Sequence, residues 1–352
     1  MSQHLPSRPR VEICSECAGL SRRGFIKSVS GAALLGAAGT MAGVAPLLAA
    51  RTVQPAGSRP AETAVKALFD SLNPEQRKIM CFPFDHKLRS FISNNWHVVD
   101  ENVGAIGKLY NPEQRELIRQ AFKGVTSPEG YEKFEKQMKD DGGGFENYTC
   151  AIFGEPGTGK FEWVLTGRHL TMRADGDSVE STVFGGPIFY GHAVEFNERP
   201  NHPGNLWWHQ ARLANEVFQS LDGKQRDRAL LETSPADEDT VVRLMGTTEG
   251  IPGLPVGELA PDQKGVIEKV LRDMLGMYRA SDVEEALLCV QKSGSFDSLR
   301  LSFYKEGDLG SDGIWDRWMV QGPSLVWYFR GSPHVHAWVN IAHAVTERRA
   351  RI

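Results

Sequence analysis

Two histidines stand two residues apart in the run HVHAWVNI, as His334 and His336. Read as a strand, the run puts His334, His336, Trp338 and Asn340 on one face. Val335, Ala337, Val339 and Ile341 take the other, and their apolarity assigns that face to the core. Two imidazoles on one strand face stand about 7 Å apart. That spacing suits two ligands of a single metal ion when a third arrives from a neighbouring strand. His169 ends the alternating run FEWVLTGRH, on the face of Trp163 and Leu165, and is the natural third ligand. A set of His169, His334 and His336 leaves an open coordination position for water or substrate, which is what makes a metal site catalytic. The expected cofactor is one divalent ion, zinc or copper, since a type-2 copper centre uses the same donors. Because H-x-H pairs are common by chance, a hydrogen-bonded pair on an aromatic surface is the competing reading.

Other groups are secondary. Arg168 precedes His169 and has the chemistry to hold an anionic group of a substrate. Asp85, beside His86 in FPFDH, and Glu195, in IFYGHAVEF with His192, are the candidates for a general base or for orienting a ligand histidine. No G-x-S-x-G, H-E-x-x-H or C-G-x-C-W motif occurs, so the familiar hydrolase templates have no foothold. The stretch GEPGTGKF, from Gly154 to Phe161, has the G-x-x-x-x-G-K spacing of a phosphate-binding loop. Phe161 stands where such a loop needs a Ser or Thr for magnesium, and an alternating, strand-like run follows instead of a helix. No nucleotide is therefore expected. The stretch reads as a turn between antiparallel strands, delivering Trp163, Arg168 and His169 to the candidate site.

The elements that must position these residues come in blocks. From about Ala61 to Asp141 the pattern is helical, and Gly142-Gly143-Gly144 ends it. Helix starts recur as LNPEQR at 72–77, YNPEQR at 110–115, LDGKQR at 221–226 and LAPDQK at 259–264. Each combines capping chemistry with an early Gln, and together they suggest an old duplication or a repeated capping solution. Strand-like runs fill about 147–196 and 297–343, with helices between them. This blockwise order predicts an α+β fold whose mainly antiparallel sheet joins both strand-rich blocks, packed with helices.

The whole chain has 352 residues, 41% hydrophobic and 24% charged, with a formal net charge of -4, and lacks the basic footprint of a nucleic-acid binder. Its first 50 residues contain SRRGFIK followed by an uncharged run of mainly Ala, Gly, Leu and Val. This resembles a twin-arginine (Tat) export signal, with the Tat machinery as partner and the periplasm or exterior as destination. Cleaved, it leaves no membrane span; an uncleaved signal anchor is the alternative. Residues 51–60 read as a linker. Cys14 and Cys17 fall within the signal, and Cys81, Cys150 and Cys289 are too scattered for a disulfide framework.

In order along the chain, YTCAIFGEPG, FEWVLTGRHLTM, TVFGGPIFYG and the late VQGPSLVWYF with HVHAW resemble the domain-of-unknown-function 3500 family. The resemblance spans a single domain over about 61–345. It implies that His169 matches the second histidine of the family's G-H-H-L strand and that His334 and His336 match its late H-x-H pair. Arg168 stands where the family has the first of those histidines. The family supplies no reaction, so two readings stay open. One is an exported metal protein, with enzymatic activity undecided; the other is a module that binds an unidentified small ligand or a partner without metal or catalysis.

Overall fold

A computed structural model describes residues 60–193, 204, 206–310 and 312–343. The export signal read in residues 1–50, the linker up to residue 59 and Glu195 lie outside the described residues. Among the described residues no helix is long and apolar enough to cross a membrane.

The recurrent helix starts do what their sequences dictate. Helix α1 spans Pro60–Ser71 and α2 Pro74–Met80. Two short turns of helix, α3 (Glu101–Gly104) and α4 (Ile106–Leu109), lead to α5 (Pro112–Val125) and α6 (Pro128–Gly142). Asn73 and Asn111 each close a capping box with Gln76 and Gln114, three residues on, behind a proline fixed in helical φ. In the second half come α7 (Trp208–Ser220), α8 (Gly223–Ala229), α9 (Pro261–Leu275) and α10 (Ala280–Lys292).

The strands are β1 (Cys81–Phe82), β2 (Thr149–Gly154), β3 (Phe161–Gly167), β4 (Leu170–Ala174), β5 (Ile188–His192), β6 (Leu230–Leu231), β7 (Leu254–Pro255), β8 (Arg300–Tyr304), β9 (Arg317–Gln321), β10 (Leu325–Arg330) and β11 (Val335–Ile341). They form one 11-stranded sheet of order β1-β2-β3-β4-β5-β11-β10-β9-β8-β6, with β7 on β8. The expected strand-rich blocks are thus one sheet, joined by the antiparallel pairing of β5 and β11.

That order is a palindrome. Residues before and after about 200 run through the same elements, and each half ends its sheet on a short parallel strand, β1 on β2 and β6 on β8. Smaller details repeat as well. Ile106 N donates to Tyr148 O at 2.8 Å, as Val256 N donates to Leu299 O at 2.9 Å. The separation from Gln76 to Gln225 equals that from Gln114 to Gln263. Within each half the two capping glutamines exchange amide hydrogen bonds, Gln76 with Gln114 at 2.8 and 3.1 Å and Gln225 with Gln263 at 2.9 and 3.3 Å. The four related helix starts are therefore two interlocked pairs, one per half. The halves meet at β5–β11 and where the α5–α6 and α9–α10 linkers pair, Ser127 N to Met277 O and Arg279 N to Val125 O.

Gln114 is buried and also reaches Ser71 O. Its replacement by leucine removes both amide bonds to Gln76 and the acceptor of the Asn111 N–H, and is expected to cost about 1–3 kcal/mol. Chemical denaturation measures this; no change in midpoint would contradict the reciprocal pairing.

Both faces of the sheet are covered. Helices pack over Trp163, Leu165, Leu170, Tyr190, Trp327, Val335, Ala337 and Val339. The assignment of Val335, Ala337, Val339 and Ile341 to the core is correct, but the opposite face is not open surface. Irregular segments around 84–99 and 235–244 lie over it, burying Phe189, Val326, Tyr328 and Trp338 in one cluster and Ala151, Phe153 and Val164 in another. Polar ties hold these segments down. Arg89 and Arg173 grip Glu162 at 2.9 and 2.6 Å, Trp96 Nε1 donates to Thr171 Oγ1 at 2.9 Å, and Val98 N donates to Thr166 Oγ1 at 2.8 Å.

GEPGTGKF is the hairpin loop between β2 and β3, with Gly154 paired to Phe161. Gly154 has φ 80°, and a Cβ there would stand 2.1 Å from Lys160 O, so glycine is required. The expectation that this loop delivers Arg168 and His169 needs correction. It sets the start of β3, whereas those residues lie beyond the strand's other end.

Candidate metal centre

The next turn carries the site. Gly167 pairs with Leu170, leaving Arg168 and His169 as a two-residue connection from β3 to β4. His169 takes φ 57°, a left-handed conformation costly for a side-chain-bearing residue. Hydrogen bonds hold it there. Its N–H donates to Asn94 O at 3.0 Å, while its carbonyl accepts from Gly191 N at 3.1 Å and from Gln137 Nε2 at 2.6 Å. The turn breaks the strand alternation, so His169 meets His336 on the face opposite Trp163 and Leu165. This corrects the face read from the sequence. Gly191 makes the space: a Cβ on it would lie 2.4 Å from Val335 O and 3.4 Å from the His169 Cβ.

His334 precedes β11 and His336 lies within it. The three ligand candidates converge in the buried interior, with one donor atom from each lying within 4.8 Å of the others. His336 Nε2 is 2.9 Å from His334 Nε2 and 3.2 Å from His169 Nε2. Tetrahedral zinc, with Zn–N of 2.0–2.1 Å, separates its ligand nitrogens by about 3.3 Å.

The far side of two rings is fixed by carboxylates. His169 Nδ1 is 2.9 Å from Asp141 Oδ2, at the end of α6, and His336 Nδ1 is 2.7 Å from Asp237 Oδ2. Asp141 also accepts from Ala193 N at 2.9 Å, and Asp237 from Trp338 Nε1 and Arg330 Nη1, both at 2.7 Å. A carboxylate at Nδ1 keeps the proton there and leaves Nε2 as a bare lone pair. Two such lone pairs 3.2 Å apart repel unless a cation lies between them. The donor set therefore fits a metal ion. Burial pushes the His336 imidazole down to about 3, against the opposing pull of Asp237. His334 is held far below the ordinary histidine range by burial and by the nearby His336, His169, Arg330 and Arg168. His334 and His336 are thus neutral at pH 7, the form that ligates metals.

A pH dependence follows. Between about pH 3 and 6.5 the unfolded chain protonates His336 while the folded chain does not, so stability rises with pH across that window. The melting temperature of metal-free protein in chelator should fall steadily as pH drops from 6.5 toward 4, and fall less in His336→Gln. A flat profile would contradict the buried neutral cluster.

The other expected site residues separate. Arg168 stands beside the cluster. Asp85 is exposed, just after β1, and β1 pairs with the end of β2 remote from Thr149, which lies opposite Thr166 near the His169 turn. The strand lengths between them keep Asp85 away from the cluster, correcting its placement at the site. His192 faces the helices and meets Asp140 Oδ2 at 3.0 Å. Sequence reasoning missed Asp141, Asp237, Gln137 and Arg330. Asp141 had a faint cue, an acid ending a helical run before three glycines. Asp237 sits among other acids in SPADEDT and had none. In the pseudo-equivalent turn between β9 and β10, Pro323 and Ser324 stand where Arg168 and His169 stand in the first half.

An α+β protein built on one palindromic sheet, with three histidines gathered at a corner of it, is the class that fold and site define. The chain belongs to the DUF3500 family, proteins of unknown function, whose family model matches residues 56–349. No curated protein and no solved structure matches the chain.

Proposed function

We propose that the protein is an exported metal-dependent enzyme holding one divalent ion, zinc or copper, through Nε2 of His169, His334 and His336. The observation that carries this reading is the convergence of three buried imidazoles, two of them backed by carboxylates, in one corner. Three nitrogen ligands would leave a coordination position free, and an ion held by these histidines would supply Lewis-acid chemistry there. Asp141 and Asp237 orient the rings and hold their Nδ1 protons. Gln137 fixes the turn that presents His169. Glu195, three residues past His192, is offered as the acid–base residue on chain position alone. Export rests on the twin-arginine pattern, and loading before export fits a folded, buried site.

Cobalt(II) substitution tests the reading. One equivalent should bind with the intense visible bands of a four- or five-coordinate nitrogen site. Weak six-coordinate absorption, unchanged by His169→Ala, would count against it.

A further inference from the structure

Among the described residues, Arg168 is a cation beside the cluster for which no ion pair is formed. Its carbonyl accepts from Tyr148 Oη at 2.7 Å, and its backbone bridges Asn95, so both sides of the turn are pinned and the side chain leaves from a fixed point beside His169. Arg168 is half-buried, and its Nε is shut off from solvent with no acceptor. The arginines buried elsewhere on this sheet face are all paired: Arg89 and Arg173 with Glu162, and Arg330 with Asp237. Among the described residues, the carboxylates behind the cluster are committed, Asp141 to His169 and Ala193, Asp237 to His336, Trp338 and Arg330.

A buried guanidinium edge without an acceptor is costly, and its natural partner is an anion. The charge count agrees. Among the described residues, Arg168 and Arg330 balance Asp141 and Asp237, so a divalent ion would add two positive charges that these residues do not offset. The planar fork of arginine matches the two oxygens of a carboxylate, which a compact ammonium does not.

We propose that Arg168 is a substrate-binding residue and that the substrate carries a carboxylate, held by Arg168 next to the open position of the ion. This rests on the metal reading, and it names the substrate class of that same site.

The test uses the full chain loaded with cobalt(II) and titrated with acetate, with neutral acetamide as control. Acetate should shift the visible bands with single-site saturation, and acetamide should not. Arg168→Gln should weaken acetate by about tenfold or more, and Arg168→Lys, which keeps the charge but loses the fork, by about threefold. Cobalt affinity should agree within about threefold across all three proteins, since Arg168 is not a ligand. Equal acetate affinity in wild type and Arg168→Gln overturns the proposal and leaves the metal site standing. Thermal melts check folding; if Arg168→Gln does not fold, unchanged acetate affinity in Arg168→Lys overturns it instead. Should wild type bind no cobalt, the metal reading fails. Acetate is then titrated into metal-free protein by tryptophan fluorescence. There a tenfold dependence on Arg168 sustains the carboxylate site, and its absence overturns it.

Discussion

Replacing His336 with alanine should lower zinc affinity by about 10²–10³-fold, the share of one ligand in a structural-type zinc binding energy. His336 is the most exacting choice because it stands between the other two rings, 2.9 Å from His334 and 3.2 Å from His169. It is also completely buried, so no water-borne group substitutes easily for its nitrogen. The metal-free variant should still fold. The strand carrying residue 336 is held by β5 on one side and β10 on the other, and alanine removes one of the mutually repelling lone pairs. The measurement is zinc titration against a competing chelator, paired with a thermal melt. An affinity within about threefold of wild type, in a folded variant, would show that His336 is not a ligand.

The second large effect falls on a residue that touches no ion. Asp237→Asn keeps size and shape but removes the charge that three donors share: His336 Nδ1, Trp338 Nε1 and Arg330 Nη1, each at 2.7 Å. Loss of a carboxylate behind a ligand histidine costs about 10–100-fold in metal affinity, because the ring's tautomer and angle are no longer fixed. Breaking one partner out of a buried ion pair costs a further about 3–5 kcal/mol of stability, here because Arg330 is left uncompensated. Asp141→Asn separates the two effects. Asp141 backs His169 in the same way but among the described residues pairs with no arginine, so it should show the affinity loss with a smaller loss of stability. Equal stability losses in both variants would mean that the Arg330–Asp237 pair contributes little.

Much of this site was legible along the chain. The alternation in HVHAWVNI placed His334 and His336 correctly, because strand periodicity depends only on backbone geometry. His169 was picked as the third member of the cluster, yet on the wrong face. The two-residue turn at Arg168 and His169 ends the alternation, and a left-handed φ at a histidine leaves no mark in composition. The repeated helix starts pointed to duplication, but the pairing of Gln76 with Gln114 and of Gln225 with Gln263 is tertiary. Asp85 looked suitable because it neighbours a histidine; sequence adjacency does not carry across a sheet. Asp141 and Asp237 reach the rings from an α-helix end and from a covering loop, and such long-range second partners have no periodic signature. The covering segments themselves look like ordinary loops, so the burial of the histidine face was also hidden.

The central claim is that His169, His334 and His336 hold one metal ion. Its most direct test is elemental analysis of the purified protein, joined to the X-ray absorption fine structure of whatever metal is found. The account predicts close to one equivalent of zinc or copper, three imidazole nitrogens at about 2.0 Å, and loss of the ion in His336→Ala. Less than about a tenth of an equivalent after incubation with zinc or copper, or an absorption spectrum built from oxygen or sulfur donors alone, would contradict it.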